Sequence, residues 1–361
     1  MTGKATSGDV AKLAGVSQSA VSSILNNNDK ISFSEETRAK VISAAQTLGY
    51  MLPKHKKNGG GNGARPGVIL TLVPTLSNQY YAELGRALEN YADSVGIRVI
   101  VCSTFRKSEL EKYYLELFRK TGIGGVVYTF LPSYPQMARQ IDAVTPVVLI
   151  GEKEEGLAIC SFELNNIKSA AMLGEHLYQM GHRRFAFIST PFKGASLARG
   201  QRLEGLLSML RNHALPKEAL LVMSPSDYFG GGEADRSFQP YEYIVGKKMT
   251  DNTLKKDAGV TAFIAVNDMT ALGVVDALKE RGYRIPKDYS VCGFDNIFSA
   301  SVTDPALTTV DHKLSVRCKA AIDMILERLE NGGAPSESHV NKIEYVPQLI
   351  IRGSTGPAPE R

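Results

Sequence analysis

Two rhythms of apolar residues run along the chain. From Gly67 onward, short apolar runs alternate with longer amphipathic stretches, and the runs read GVILTLV, RVIVC, GVVYTF, PVVLI, FAFIS, TAFIAV and YSVCGF. Each has the length and the β-branched and aromatic content of a strand. Between them, apolar positions recur at helical spacing near Tyr80 to Val95, Ser108 to Thr121, Ile167 to Met180, Ser196 to His213 and Met269 to Arg281. Parallel strands need a crossover connection, so strand, helix, strand at this spacing predicts an α/β architecture of parallel, doubly wound sheets covered on both faces. The strands are too many for one small sheet and are expected to divide between two lobes.

The first fifty residues follow only the helical rhythm. Thr6 is placed to cap a helix, with Asp9 three residues later in the first turn, and Val10 and Leu13 then share a face beside the small Ala11. Gly15 supplies a tight turn, and Ser17 caps a second helix in which Val21, Ile24 and Leu25 share a face while Gln18, Ser19, Ser22 and Ser23 point outward. A third helix begins at Ser34 and runs through Val41, Ile42, Ala45 and Leu48 to a stop at Gly49. Three short helices make a small bundle whose second helix presents short polar side chains at its N-terminal end. A helix-turn-helix reads base edges in the major groove in this way.

Charge strengthens that reading. The chain carries 42 Lys and Arg against 37 Asp and Glu over 361 residues, a formal net charge of +5. Met1 to Pro66 holds nine of the bases and four of the acids, so the whole surplus lies in the first segment and the rest is neutral. A basic end on a neutral body points to a polyanionic partner.

The string DVAKLAGVSQSAVSSILN, followed by SEETRAKVISAAQTLGY, resembles the headpiece of the lactose-repressor (LacI/GalR) family of bacterial transcription regulators. The resemblance implies that Gln18, Ser19 and Ser23 contact bases and that Thr6, Ser17 and Asn26 contact phosphates. Position 23 is often a long side chain in the family and is Ser here, which implies an operator different from the commonest one. The loop from Asn26 to Phe33 is longer than usual, and Lys30 within it is a further candidate for a phosphate contact.

The linker departs from the family pattern. Where the family continues into a hinge helix that wedges an apolar residue into the minor groove, this chain reads MLPKHKKNGGGNGARPG. Gly59, Gly60, Gly61 and Gly63 each disfavour helix by about 1 kcal/mol, so a flexible tether is expected over residues 51–66. Lys54 and Lys56 are candidates for phosphate contact, and a solvated linker that touches nothing stays open beside that.

The body resembles the periplasmic-binding-protein-like core of the same family over nearly its full length, on GEHLYQMGHRRFAFI, AVNDMTALGVVDALKERGYRIPKDYSVCGFDN, ALTTVDH and QLIIRGST. That resemblance implies three chain crossings between the lobes and a small-molecule effector in the cleft, where open parallel sheets bind ligands beyond the carboxyl ends of their strands. Arg202 and Asp295 stand where the family places a cleft arginine and aspartate; a structural ion pair is the other reading. Tyr228 falls near an aromatic stacking position, Asn267 or Asp268 follows another strand, and Asn78 and Tyr80 follow the first. Asn165 aligns with a usual aspartate, which implies altered ligand preference. The long segment PSDYFGGGEADRSFQPYEY is either a lid or an ordinary surface loop.

The expected organisation is therefore a headpiece over residues 1–50, a linker over 51–66 and a two-lobed effector-binding and dimerisation domain over 67–361, working as a homodimer on a near-palindromic operator. Four dispersed cysteines with no CxxC pair predict reduced thiols in a cytoplasmic protein, with no cofactor, no metal and no membrane span. The rival readings are an enzyme and a sugar-binding module without specific DNA recognition. No GxGxxG opening a helix, no P-loop and no GxSxG elbow occurs.

Overall fold

The computed structural model describes residues 6–25, 33–48, 68–192, 196–227, 239–256, 259–331 and 341–360. Contacts divide the chain into two units, Met1–Asn62 and Gly63–Arg361.

In the first unit, α1 (Ser7–Ala14), α2 (Gln18–Leu25) and α3 (Glu35–Thr47) form the bundle. Thr6 and Asp9 make a full capping box, the Asp9 N–H donating to Thr6 Oγ1 at 3.3 Å and the Thr6 N–H to Asp9 Oδ2 at 2.8 Å. Gly15 closes α1 in the left-handed region at φ 66°, as the tight turn requires. Ser17 caps α2 by accepting from Ala20 N–H, and Ser34 caps α3 by accepting from Thr37 N–H. The core is Val10, Ala11, Val21, Ile24, Val41, Ala44 and Ala45. Leu13 and Ile42, expected inside, are 54% and 47% exposed, and Leu48 is also exposed. Val41, Ala44 and Ala45 share the buried stripe at i, i+3 and i+4, and Ile42 lies about 100° around the helix from Val41.

The second unit contains two lobes. The first sheet takes β1 (Val68–Val73), β2 (Arg98–Ser103), β3 (Gly125–Tyr128), β4 (Val147–Ile150), β5 (Cys160–Leu164) and β11 (Lys342–Tyr345), in the order β11-β5-β4-β3-β1-β2 and parallel throughout. Alternate residues face opposite sides. Ile69, Val127, Val148 and Phe162 pack on α4 (Gln79–Ser94) and α12 (Leu314–Glu330), while Leu70, Val126, Tyr128 and Leu149 face α5 (Ser108–Thr121) and α6 (Pro135–Asp142).

The second sheet is also parallel, in the order β7-β6-β8-β9, with β6 at Phe185–Ile188, β7 at Leu220–Met223, β8 at Ala262–Ala265 and β9 at Ser290–Cys292. One face packs Phe185, Phe187 and Ile264 under α7 (Asn166–Gln179) and α8 (Leu197–Asn212); the other packs Ile188, Phe263 and Val291 under α9 (Tyr241–Lys255) and α10 (Asp268–Glu280). Both helix pairs approach at glycine. A Cβ on Gly205 would lie 2.2 Å from the Ile167 carbonyl, and Cβ atoms on Gly246 and Gly273 would lie 2.1 Å from the Thr270 and Tyr243 carbonyls.

The chain passes between lobes three times: from β5 into α7, from β10 (Thr309–Asp311) into α12, and from β11 into β12 (Gln348–Ile350), which pairs antiparallel with β10. All four cysteines are free thiols, three of them buried. Among the described residues no helix is long and apolar enough to cross a membrane, and no His, Cys, Asp and Glu group is arranged to hold a metal.

Candidate functional site

In the headpiece, Gln18 opens α2 on the exposed side and donates from Nε2 to Ser7 Oγ at 2.7 Å, which ties it to the first turn of α1. Ser19 and Ser23 follow in the same helix, and Thr6 and Ser17 hold the caps just described. Asn26, Lys30, Lys54 and Lys56 lie outside the described residues, as does Tyr228.

The body has a cleft of about 100 Å³ between the lobes. This is well below the ~300–1,000 Å³ of most small-molecule sites, so the lobes stand close around it. Of the expected residues, Asn78, Tyr80, Arg202, Asn267 and Asp295 line it. Asn78 caps α4 by accepting from the Tyr80 N–H at 3.1 Å. Asn267 caps α10, its Oδ1 accepting from both N–H and Oγ1–H of Thr270, which turns the amide N–H2 into the group available to a ligand.

Arg202, in α8, is buried and held on three sides. Nε donates to Asn166 Oδ1 at 2.8 Å, Nη1 donates to the Val266 carbonyl, and Nη2 meets His312 Nε2 at 3.3 Å; the guanidinium also stacks over Phe294. Burial lowers its affinity for a proton, and the nearby Asp295 carboxylate opposes that. Asp295 is itself buried, which raises its pKa well above the ordinary carboxylate range, with Arg202 acting in the opposite sense.

Asp295 sits at φ 120° and Asn296 at φ 57°, a conformation that L residues rarely adopt. Four bonds hold this turn. Asp295 N–H donates to the Val310 carbonyl, Asn296 N–H to Thr309 Oγ1, and Ile297 N–H to Asp268 Oδ2, while Thr309 Oγ1–H donates to Asp268 Oδ1 at 2.6 Å. Asp268 was expected in the cleft; it does not line it, and it braces the turn that presents Asp295. Burial pushes its pKa up to about 7.

Asn165 is likewise outside the cleft. It caps α7, accepting from Lys168 N–H at 2.8 Å and donating to Glu344 at 2.9 Å. The next residue, Asn166, is buried and supports the site from behind, accepting from Arg202 and donating to Glu152, both of which line the cleft.

Sequence reasoning missed Tyr81, Arg106, Glu152, Arg199, Glu242, His312 and Arg317, all of which line the cleft. His312 closes the ALTTVDH string, and Arg199 lies one helical turn before Arg202; both were adjacent to residues already singled out. Arg317 belongs to α12, a helix unassigned in the sequence. Its guanidinium donates to the Phe162 and His312 carbonyls.

A helix-turn-helix headpiece followed by a two-lobed α/β body with a polar cleft defines a transcription regulator with a ligand-binding domain. The comparisons with known proteins agree: residues 7–52 match the model for bacterial regulatory proteins of the lacI family, and residues 175–355 match the periplasmic binding protein-like domain, so the chain belongs to the lacI family. It is 27% identical over 361 residues to the HTH-type transcriptional regulator DegA of Bacillus subtilis, covering 98% of this chain and 99% of that one. Among solved structures, the lac repressor dimer bound to operator and the anti-inducer ONPF superposes at a TM-score of 0.69 with 21% identity, over 98% of this chain and 100% of that one. A LacI family regulator from Enterococcus faecium with bound ribose superposes at 0.66 with 22% identity, over 80% and 99%.

Proposed function

We propose that the protein is a cytoplasmic repressor that binds a near-palindromic operator as a homodimer and responds to a sugar or sugar derivative in the interlobe cleft. The observation that carries this reading is the exposed Gln18 at the start of α2, oriented by Ser7, in a chain whose second unit holds a cleft of hydrogen-bonding side chains. Gln18, Ser19 and Ser23 would read bases, with Thr6, Ser17, Asn26, Lys30, Lys54 and Lys56 on phosphates. The headpiece, linker and effector domain would span residues 1–50, 51–66 and 67–361.

On the effector side, Asn78, Tyr80, Arg202, Asn267 and Asp295 are assigned to the ligand, with Tyr228 as a candidate aromatic face. Paired acceptors and donors of this kind suit vicinal hydroxyls, and sugar-bound relatives such as the ribose complex support the class. The effector must favour one state of lobe closure, since a ligand with equal affinity for both shifts nothing.

Selection of random duplex DNA by the full chain, run beside residues 67–361 alone, tests the reading. An enriched near-palindrome that requires the headpiece is expected. Enrichment of no sequence by the full chain, with and without D-ribose or cellobiose, would overturn it.

A further inference from the structure

An ion pair in the cleft joins the two lobes. Arg106 follows β2 in the first lobe, and Glu242 lies in the first turn of α9 in the second; Nη2 of Arg106 donates to Oε1 of Glu242 at 3.2 Å. The turn that delivers Arg106 is unusual. Phe105 and Arg106 both have left-handed backbones, at φ 49° and 58°, and the turn is pinned by Thr104 N–H and Lys107 N–H donating to the Val73 and Thr104 carbonyls.

Glu242 is 3% exposed, yet its Oε2 is buried without a hydrogen-bond partner. Other buried glutamates in this chain are treated differently. Glu111 accepts from the Tyr128 hydroxyl and through both oxygens from Ser133 N–H, and Glu163 uses Oε1 for Ser161 and Oε2 for Lys342. A buried carboxylate oxygen without a donor is costly, so one confined to a ligand cleft marks a place where a ligand supplies the donor.

Tyr81 feels Arg106, Glu242, Arg199 and Asp295, and Tyr80 feels Arg317, Asp295 and Glu152. Glu242 also acts on Asp295, so the Glu242–Arg106 pair and Asp295 with Arg202 border one continuous polar site.

We propose that Glu242, held from the opposite lobe by Arg106, is a specificity-determining contact whose Oε2 accepts a hydrogen bond from a hydroxyl of the effector. This rests on the reading of the cleft as a polyol site. Because the acceptor and the residue that aims it come from different lobes, the contact is complete only when the lobes are closed, and recognition of that hydroxyl is tied to closure. Arg106 is the positioning residue.

The test is calorimetric titration of the full chain with D-ribose, D-xylose and cellobiose, and then with the monodeoxy derivatives of whichever sugar binds. Glu242→Gln keeps the size and the Oε1 contact but presents an amide in place of one acceptor. Affinity for the sugar should fall about tenfold or more, as for loss of a charge-assisted bond. The deoxy form lacking the recognised hydroxyl should bind wild type and Glu242→Gln alike. Arg106→Gln should weaken the same sugar, and the double variant should be no weaker than Glu242→Gln alone. Unchanged affinity in Glu242→Gln, or equal losses for every deoxy form, would overturn the proposal and leave the polyol reading standing. Failure of all three sugars to bind wild type would overturn both.

Discussion

Nη2 of Arg202 lies 3.3 Å from Nε2 of His312, and a guanidinium has only donors to offer, so the imidazole must receive that hydrogen bond as a neutral ring. Burial, Arg202 and Arg317 all hold the His312 pKa well below its usual value, while Asp295 Oδ1 stands 3.5 Å from Nδ1. The unfolded ring takes up a proton near pH 6.5 and the folded ring only at lower pH. Its contribution is therefore complete above about pH 6.5 and drains as pH falls below it, by up to about 1.4 kcal/mol per unit. Between pH 7 and pH 5, by thermal unfolding, wild type should lose stability more steeply than His312→Asn. Buried His176 and His182 shift in the same direction and Asp268 and Asp295 in the stabilising one, and the comparison of the two proteins removes what they share. Parallel pH profiles would mean that the ring takes up a proton as readily in the fold as in the unfolded chain.

The glycine contacts make opposite predictions in helices on opposite faces of the second sheet. Gly246→Ala sets a methyl group against the Thr270 carbonyl where α9 crosses α10, and should cost about 3 kcal/mol, since backbone cannot move aside as a side chain can. A Cβ on Gly200 of α8 meets nothing within 4 Å, so Gly200→Ala should stabilise by about 0.5–1 kcal/mol through helix propensity. Chemical denaturation of both variants checks the pair.

Asp268→Asn should reach the cleft without touching it. One of the oxygens that accept from Thr309 and Ile297 becomes a donor, a loss of about 1–3 kcal/mol. The strained turn at Asp295 loses its brace, so sugar affinity should fall along with the midpoint temperature. A loss of stability with intact binding would show that Asp295 keeps its place unaided.

On DNA, Gln18→Ala should relax preference at one base pair of each half-site, worth about 1–3 kcal/mol of discrimination, and leave non-specific binding nearly unchanged. Ser7→Ala, which only releases Gln18, should do the same to a smaller extent. Competition binding across singly substituted operators reads both; a uniform loss on every sequence would remove Gln18 from base reading.

The regular parts of this fold were legible because their apolar spacing is strong. Runs such as GVILTLV and FAFIS became β1 and β6, and α5 occupies the predicted residues. Elements with weaker signals escaped: β5 carries a buried Glu163, and α9 and α12 mix charges and small residues among their apolar positions. In the site, alignment by motif came within one residue of the buried amide, at Asn165 in place of Asn166. Helix capping takes one of two adjacent asparagines, and the other bonds the cleft residues Arg202 and Glu152; the sequence does not distinguish them. Arg106 and Glu242 are 136 positions apart and belong to no motif, so only the folded chain brings them together.

The threading of the two lobes has a consequence for synthesis. The first lobe opens at Val68, but its sheet is completed by β11 at Lys342–Tyr345 and one of its faces is covered by α12. A chain emerging from the ribosome thus offers a helical headpiece long before it can finish the lobe that follows, and the exposed β5 edge and the bare face beneath α12 must wait for nearly the whole protein. A ribosome stalled after α10 would release a fragment with both sheets unclosed, a ready substrate for chaperones and proteases. Quality control would act on the unfinished chain, and regulation on the intact one alone.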